Sequence, residues 1–195
     1  EVMQEQQVTI EGNRFVMEPP FLVIATQNPL ELEGTYPLPE AQLDRFLMRL
    51  RVGYPTPDDE QEILLRRRQR RQDSADIAAV VTRAELLSMQ AALEDVFVSQ
   101  DIDRYIIALA HATRQDSRVQ IGASPRGSLA LMKLARTYAA LRGRDFVTPD
   151  DVKIMAVPAL AHRLILRPEL WITKVVEEDI IQDLLNKVPT PKTEA

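Results

Sequence analysis

The spacing of hydrophobic positions changes once along the chain, and the change divides it in two. Residues 7–10 and 14–17 are short β-leaning runs on either side of Glu11-Gly12-Asn13, so the pattern predicts a hairpin with a glycine in its turn. Residues 21–26, Phe-Leu-Val-Ile-Ala-Thr, follow Pro19-Pro20 as a continuous apolar run. That is the form of a strand buried on both faces of a mainly parallel sheet. No β-α-β alternation comes after it, so the other strands of such a sheet are expected from sequence outside this chain.

From residue 58 onward the period is helical. Gly53-Tyr54-Pro55-Thr56-Pro57 is a natural hinge, and the boundary between two packing units is expected there. A charged helix is predicted over residues 60–72. A second is capped by Thr82, with Glu85 three positions on to complete a capping box. Residues 101–113 place Ile102, Ile106, Leu109 and Thr113 at helical spacing, with Tyr105 and Ala112 beside them. Residues 124–142 open with Ser124 as cap and Pro125 at the first helical position. They then present Leu131, Leu134, Ala135, Tyr138 and Leu141 as a stripe before Gly143 ends the helix. Thr148-Pro149-Asp150-Asp151 starts another helix, which Pro158 should kink or restart. A last helix follows the acids Glu177, Glu178 and Asp179, with Ile180, Ile181, Leu184, Leu185 and Val188 apolar and Lys187 near its end. Residues 189–195 read as a frayed tail. The predicted class is mainly α with a small β part.

Composition narrows the function classes. Hydrophobic residues at 45% and charged residues at 27% are a globular balance, which argues against disorder. No apolar run approaches the roughly 20 residues that span a bilayer. With no cysteine, thiolate catalysis, disulfides and Cys-ligated metals are excluded, and the composition fits a reducing, cytoplasmic setting. His111 and His162 are the only histidines, so a multi-histidine metal site is not expected and no metal ligand is assigned. A net charge of -5 gives no global attraction to nucleic acid. The local exception is Arg-Arg-Arg-Gln-Arg-Arg at residues 66–71, but Asp58, Asp59, Glu60 and Glu62 precede it on the same helix, some at pairing distance. The polar start at Glu1 has no apolar targeting core, and with no initiator Met the chain is expected to be a piece of a longer protein.

Three places could carry chemistry. Gln27 and Asn28 lie at the carboxyl end of the expected strand, where open α/β sheets bind ligands; Asn28-Pro29 could equally open a turn. Arg45, in Leu43-Asp44-Arg45-Phe46, reads alone as a surface arginine paired with Asp44 or Glu40. Arg126 sits in the first turn of a helix, where a cation opposes the macrodipole unless an anion is nearby. It is otherwise a snorkelling surface residue.

Residues 24–50, IATQNPLELEGTYPLPEAQLDRFLMRL, closely resemble the corresponding stretch of MoxR-type AAA+ ATPases, and EQQVTIEGN at residues 5–13 is similar to their preceding hairpin. The resemblance implies the end of an AAA+ α/β core over residues 1–52, with a hairpin and a terminal strand, and a helical lid bundle over 53–188. It makes Asn28 the sensor-1 asparagine, Arg45 the arginine finger acting in trans on the next subunit's nucleotide, and Arg126 the sensor-2 arginine, in cis or in trans. His162-Arg163 resembles a lid motif that more often reads Arg-His-Arg; with Ala161 in the first place, His162 is read as structural. ATP and Mg²⁺ are the implied cofactors, and a hexameric ring, chaperone-like remodelling and von Willebrand factor A domain partners the implied setting. None of the six glycines lies in a G-x-x-x-x-G-K-[ST] loop, so this chain alone is expected to hydrolyse no ATP. The isolated chain is also expected to self-associate through residues 21–26. The rival is a non-enzymatic helical interaction module that binds nucleic acid through residues 66–71.

Overall fold

The computed structural model describes residues 2–27, 38–170, 172–173 and 175–192. A short helix α1 (Val2–Glu5) leads into strands β1 (Gln7–Ile10) and β2 (Asn13–Val16), which pair antiparallel with Gln7 opposite Val16 and Ile10 opposite Asn13. The two residues between them both have positive φ, 50° at Glu11 and 80° at Gly12. That matches the right-handed twist of a two-residue hairpin loop.

The run at residues 21–26 is not a strand. It pairs with nothing among the described residues, and Leu22 and Ile24 are 77% and 78% exposed. The expected terminal strand is thus corrected, and the reason is physical. A run apolar on both faces becomes a strand only when flanking strands take its amides and carbonyls. The hairpin does not reach it.

After α2 (Glu40–Leu43) the chain turns through residues 44–47 and then runs without regular structure to Thr56, with Val52 and Tyr54 almost fully exposed. Helix α3 (Pro57–Arg70) starts three residues earlier than expected, because Thr56 and Asp59 form a capping box with Pro57 at the first position. Helix α4 (Arg83–Ala92) is capped by Thr82 and Glu85 as the sequence predicts. Neither helix buries a residue. Arg83 ties α4 back to the hairpin segment through Glu18 and the Pro19 carbonyl.

The core lies in α5 (Gln100–Gln115), α6 (Pro125–Leu141), α7 (Pro149–Leu160) and α8 (Glu177–Lys187). Ile102, Ile106 and Leu109 meet Leu131 and Leu134, then Val152 and Leu160, with Ile180, Ile181 and Leu184 closing the bundle. The stripe on α6 turns further than expected: Ala139 is buried, whereas Leu141, at the helix end, is 80% exposed. Pro158 does not restart α7. The helix runs on to Leu160 and tightens into a 3₁₀ turn at Ala161–Arg163. Beside it, β3 (Val119–Ile121) and β4 (Ile165–Leu166) form a small antiparallel ribbon.

Two buried polar groups of the bundle, Asp151 and Thr113, are paired across the chain. Arg144 grips both oxygens of Asp151 at 2.7 and 2.5 Å while the Thr148 amide donates to the same carboxylate at 2.7 Å. Thr113 Oγ1 accepts from the Ala123 amide at 2.9 Å. A Cβ at Gly122 would come within 2.7 Å of the Arg114 backbone nitrogen, so only glycine lets this connection lie against α5.

Candidate functional site

Residues 44–51 cross the mouth of the bundle, and a set of polar contacts fastens them there. Asp44 is the hub. Its carboxylate accepts from Ser124 Oγ at 3.1 Å and from Arg163 Nε at 3.2 Å, and Arg126 Nη1 lies 3.9 Å away. Ser124 is also the N-cap of α6, accepting from the Arg126 amide at 3.2 Å. The anion that answers the positive end of α6 is therefore an aspartate of the same chain.

Arg163 is the buried element. Its side chain is 3% exposed, and its donors are spent on the crossing segment and on α7. Nη2 donates to the Phe46 carbonyl at 2.5 Å and to the Asp44 carbonyl at 3.3 Å. Nη1 donates to the carbonyls of Ala159 and, at 3.4 Å, of Leu47. Burial pulls this guanidinium below its ordinary pKa, and the Asp44 charge and hydrogen bond oppose that. His162 Nε2 lies 3.3 Å from the Phe46 carbonyl and 3.0 Å from Arg163 Nη1. Burial, and then the Arg163 charge, hold His162 down to about 4, so the imidazole is neutral at pH 7. That agrees with a structural histidine. His111 is exposed on α5.

Further along, Arg49 donates its amide to the Pro158 carbonyl at 3.0 Å. The side chains of Arg49 and Arg51 meet Glu178 at 2.6 and 2.7 Å. Burial would raise the Glu178 carboxyl, but its own backbone amide and the two arginines outweigh it and the pKa is lowered.

Arg45 and Arg126 open into one cleft of about 310 Å³ beside α6. Lys133, Arg163, Leu129 and Asp44 also line it, so four cationic side chains face a single carboxylate among the lining residues. Arg126, Leu129, Ala130 and Lys133 reach it at i, i+3, i+4 and i+7, one face of a helix. Lys133 was not singled out from the sequence, although its spacing from Arg126 was the available signal. Among the described residues no cluster suited to a metal ion is found. Asn28 lies outside the described residues.

Three arginines of the run at 66–71 are engaged close to their own helix. Arg66 meets Glu62 at 2.7 Å, Arg67 meets Asp73 at 2.5 Å, and Arg70 donates to the Gln72 carbonyl at 2.9 Å.

The segment that carries Arg45 is thus strapped to the helical bundle, and Arg45 and Arg126 line one cleft. Residues 1–48 match the family profile of the ATPase family associated with various cellular activities (AAA), and residues 111–184 match that of the AAA lid domain. The chain is 41% identical to the YeaC protein of Bacillus subtilis, over 98% of this chain and 59% of that protein. It is 40% identical to Chaperone MoxR1 of Mycobacterium tuberculosis, over its whole length and 53% of that protein. A crystal structure from Cytophaga hutchinsonii, assigned as an ATPase, superposes with a TM-score of 0.90 at 37% identity over 98% of this chain and 60% of the other. The chain belongs to the MoxR-type AAA+ ATPases. It spans between half and two thirds of the length of these relatives. Among the described residues no helix is long and apolar enough to cross a membrane.

Proposed function

We propose that this chain is the sensing and lid portion of an ATPase, and that Arg45 and Arg126 act together on the phosphates of one nucleotide. The observation that carries this is the shared cleft, whose lining is cationic and whose two arginines arrive from different elements. A guanidinium is always charged and offers a fixed fork of donors, which suits a group whose transfer is promoted by positioning and by charge on its oxygens. Bound there, ATP supplies the phosphoryl group to be transferred. The phosphate loop and the Mg²⁺ ligands come from sequence outside this chain.

Arg45 is the finger in trans. Because Arg126 lines the same cleft, it reads the neighbour's nucleotide as well, and Asn28 serves its own subunit as sensor 1. The assembled protein is a hexameric ring in the cytoplasm that couples ATP turnover to chaperone-like remodelling of partner proteins, von Willebrand factor A domain proteins among them. The chaperone named among the relatives supports that reading. The pairing of Arg66 and Arg67 within the chain removes support from the nucleic-acid rival.

The test is steady-state ATP turnover of the full-length protein. Arg45→Ala and Asn28→Ala should each lower kcat by about 100-fold or more, and Arg126→Ala by about tenfold. Unchanged turnover in Arg45→Ala would remove the finger assignment.

A further inference from the structure

We propose that Arg163 is a positioning residue for Arg45, holding the finger segment to the lid so that Arg45 and Arg126 keep a common target. The inference rests on the ATPase reading above and adds a residue which that reading does not use. Arg45 stands at the end of a short stretch of regular structure. It follows a helix of only four residues, its own amide bonds to the Gln42 carbonyl at 3.1 Å, and chain without regular structure begins a few residues later. A restraint on the flanking residues comes from 116 or more positions away in sequence. Nε of Arg163 meets the Asp44 carboxylate, and its two terminal nitrogens bind the carbonyls of Asp44, Phe46 and Leu47. These residues bracket Arg45 on both sides, and one planar group holds all of them.

Arg163 is itself held from behind. Nη1 reaches the Ala159 carbonyl on α7, and its stem lies against α6 where residue 127 is glycine. A Cβ at Gly127 would stand 3.3 Å from Arg163 Cδ and 3.2 Å from the Ala123 side chain, so the space beside α6 is fitted to this arginine. Since each of its nitrogens is already committed, Arg163 acts on the cleft through the segment it clamps. Lysine would keep the charge, but an ammonium offers three donors from one point and cannot span these acceptors.

The experiment compares Arg163→Lys, Arg45→Ala and the double variant in the full-length protein, reading kcat and KM for ATP, with amide exchange at Phe46 and Arg49 as a second readout. Arg163→Lys should lower kcat about tenfold with KM within about twofold. The double variant should be no slower than Arg45→Ala alone, because the two substitutions remove one function. The exchange of both amides should quicken by about tenfold or more. Effects that multiply in the double variant, or unchanged kcat or unchanged exchange in Arg163→Lys, would overturn the proposal. If Arg45→Ala itself keeps full turnover, the finger reading falls and takes this inference with it; if Arg45→Ala is slow and Arg163→Lys is not, only this inference falls. Gly127→Ala, which keeps Arg163 and crowds its stem, carries the same test should Arg163→Lys not fold. Its expected loss in kcat is about threefold, again absent in the Arg45→Ala background. A multiplied loss there overturns the proposal in the same way.

Discussion

The bundle of α5 to α8 and the segments that precede it treat their apolar residues in opposite ways. In the bundle, Leu109, Leu131, Leu160, Ile180 and Ile181 have almost no exposure. Outside it, Leu22, Ile24, Ile63 and Leu64 all face outward, though they are no less hydrophobic. A stripe along one helix face can be satisfied by other helices of the same stretch. A run apolar on both faces specifies neighbours on both sides, and the described residues supply none. Apolar pattern therefore reports a requirement for burial, and only the rest of the fold decides whether it is met.

The strongest way to break this division is to truncate one side chain on each side of it. Leu131→Ala should cost about 3 kcal/mol or more of unfolding free energy, because it opens a cavity at a fully buried site. Ile24→Ala should cost less than about 0.5 kcal/mol in this chain. Urea midpoints followed by circular dichroism give both numbers, and equal costs would abolish the distinction.

The seam between the two regions can be examined with pH. His162 is held at about 4, against an ordinary value near 6.5, by burial first and by Arg163 second. Between those values the unfolded chain binds the extra proton and the folded one does not. Stability contributed by the neutral ring is thus complete above about pH 6.5 and is lost as pH falls towards 4, by about 3 kcal/mol. His162→Gln should flatten that slope in a series of denaturation curves; an unaltered slope would assign the acid sensitivity elsewhere.

A smaller effect belongs to α4, which has a complete capping box but no buried residue. Thr82→Ala should cost about 1 kcal/mol locally, seen as faster amide exchange over α4, while the urea midpoint of the bundle stays in place. A matching fall in that midpoint would mean that α4 is part of the cooperative unit.

How much of this was legible in the sequence follows the range of the interactions. The Thr82 box, the Ser124-Pro125 start of α6 and the apolar stripe of α5 depend on neighbours within a few positions, and they stand where the spacing put them. The start of α3 was missed because Thr56 and Pro57 were read as part of a hinge. The fate of residues 21–26 could not be read from the run itself, since it depends on strands beyond it. Sequence reasoning offered Asp44 to its neighbour Arg45, yet the contacts described above tie it to Ser124, Arg126 and Arg163, 80 to 119 positions away. Arg163 carried a motif resemblance but no hint of its clamp, because no local pattern encodes which distant carbonyls a guanidinium will find.

The close approach at Gly122 has a consequence for manufacture rather than for strength. With no side chain between it and the Arg114 backbone, the connection acts as a gauge, setting the distance from α5 to the first turn of α6. Arg126, half exposed and only 3.9 Å from its nearest partner oxygen, could not locate itself by its own grip. Its address in the cleft is inherited from the thickness of a spacer two residues upstream of the Ser124 cap, and any side chain placed there would move the destination along with the helix.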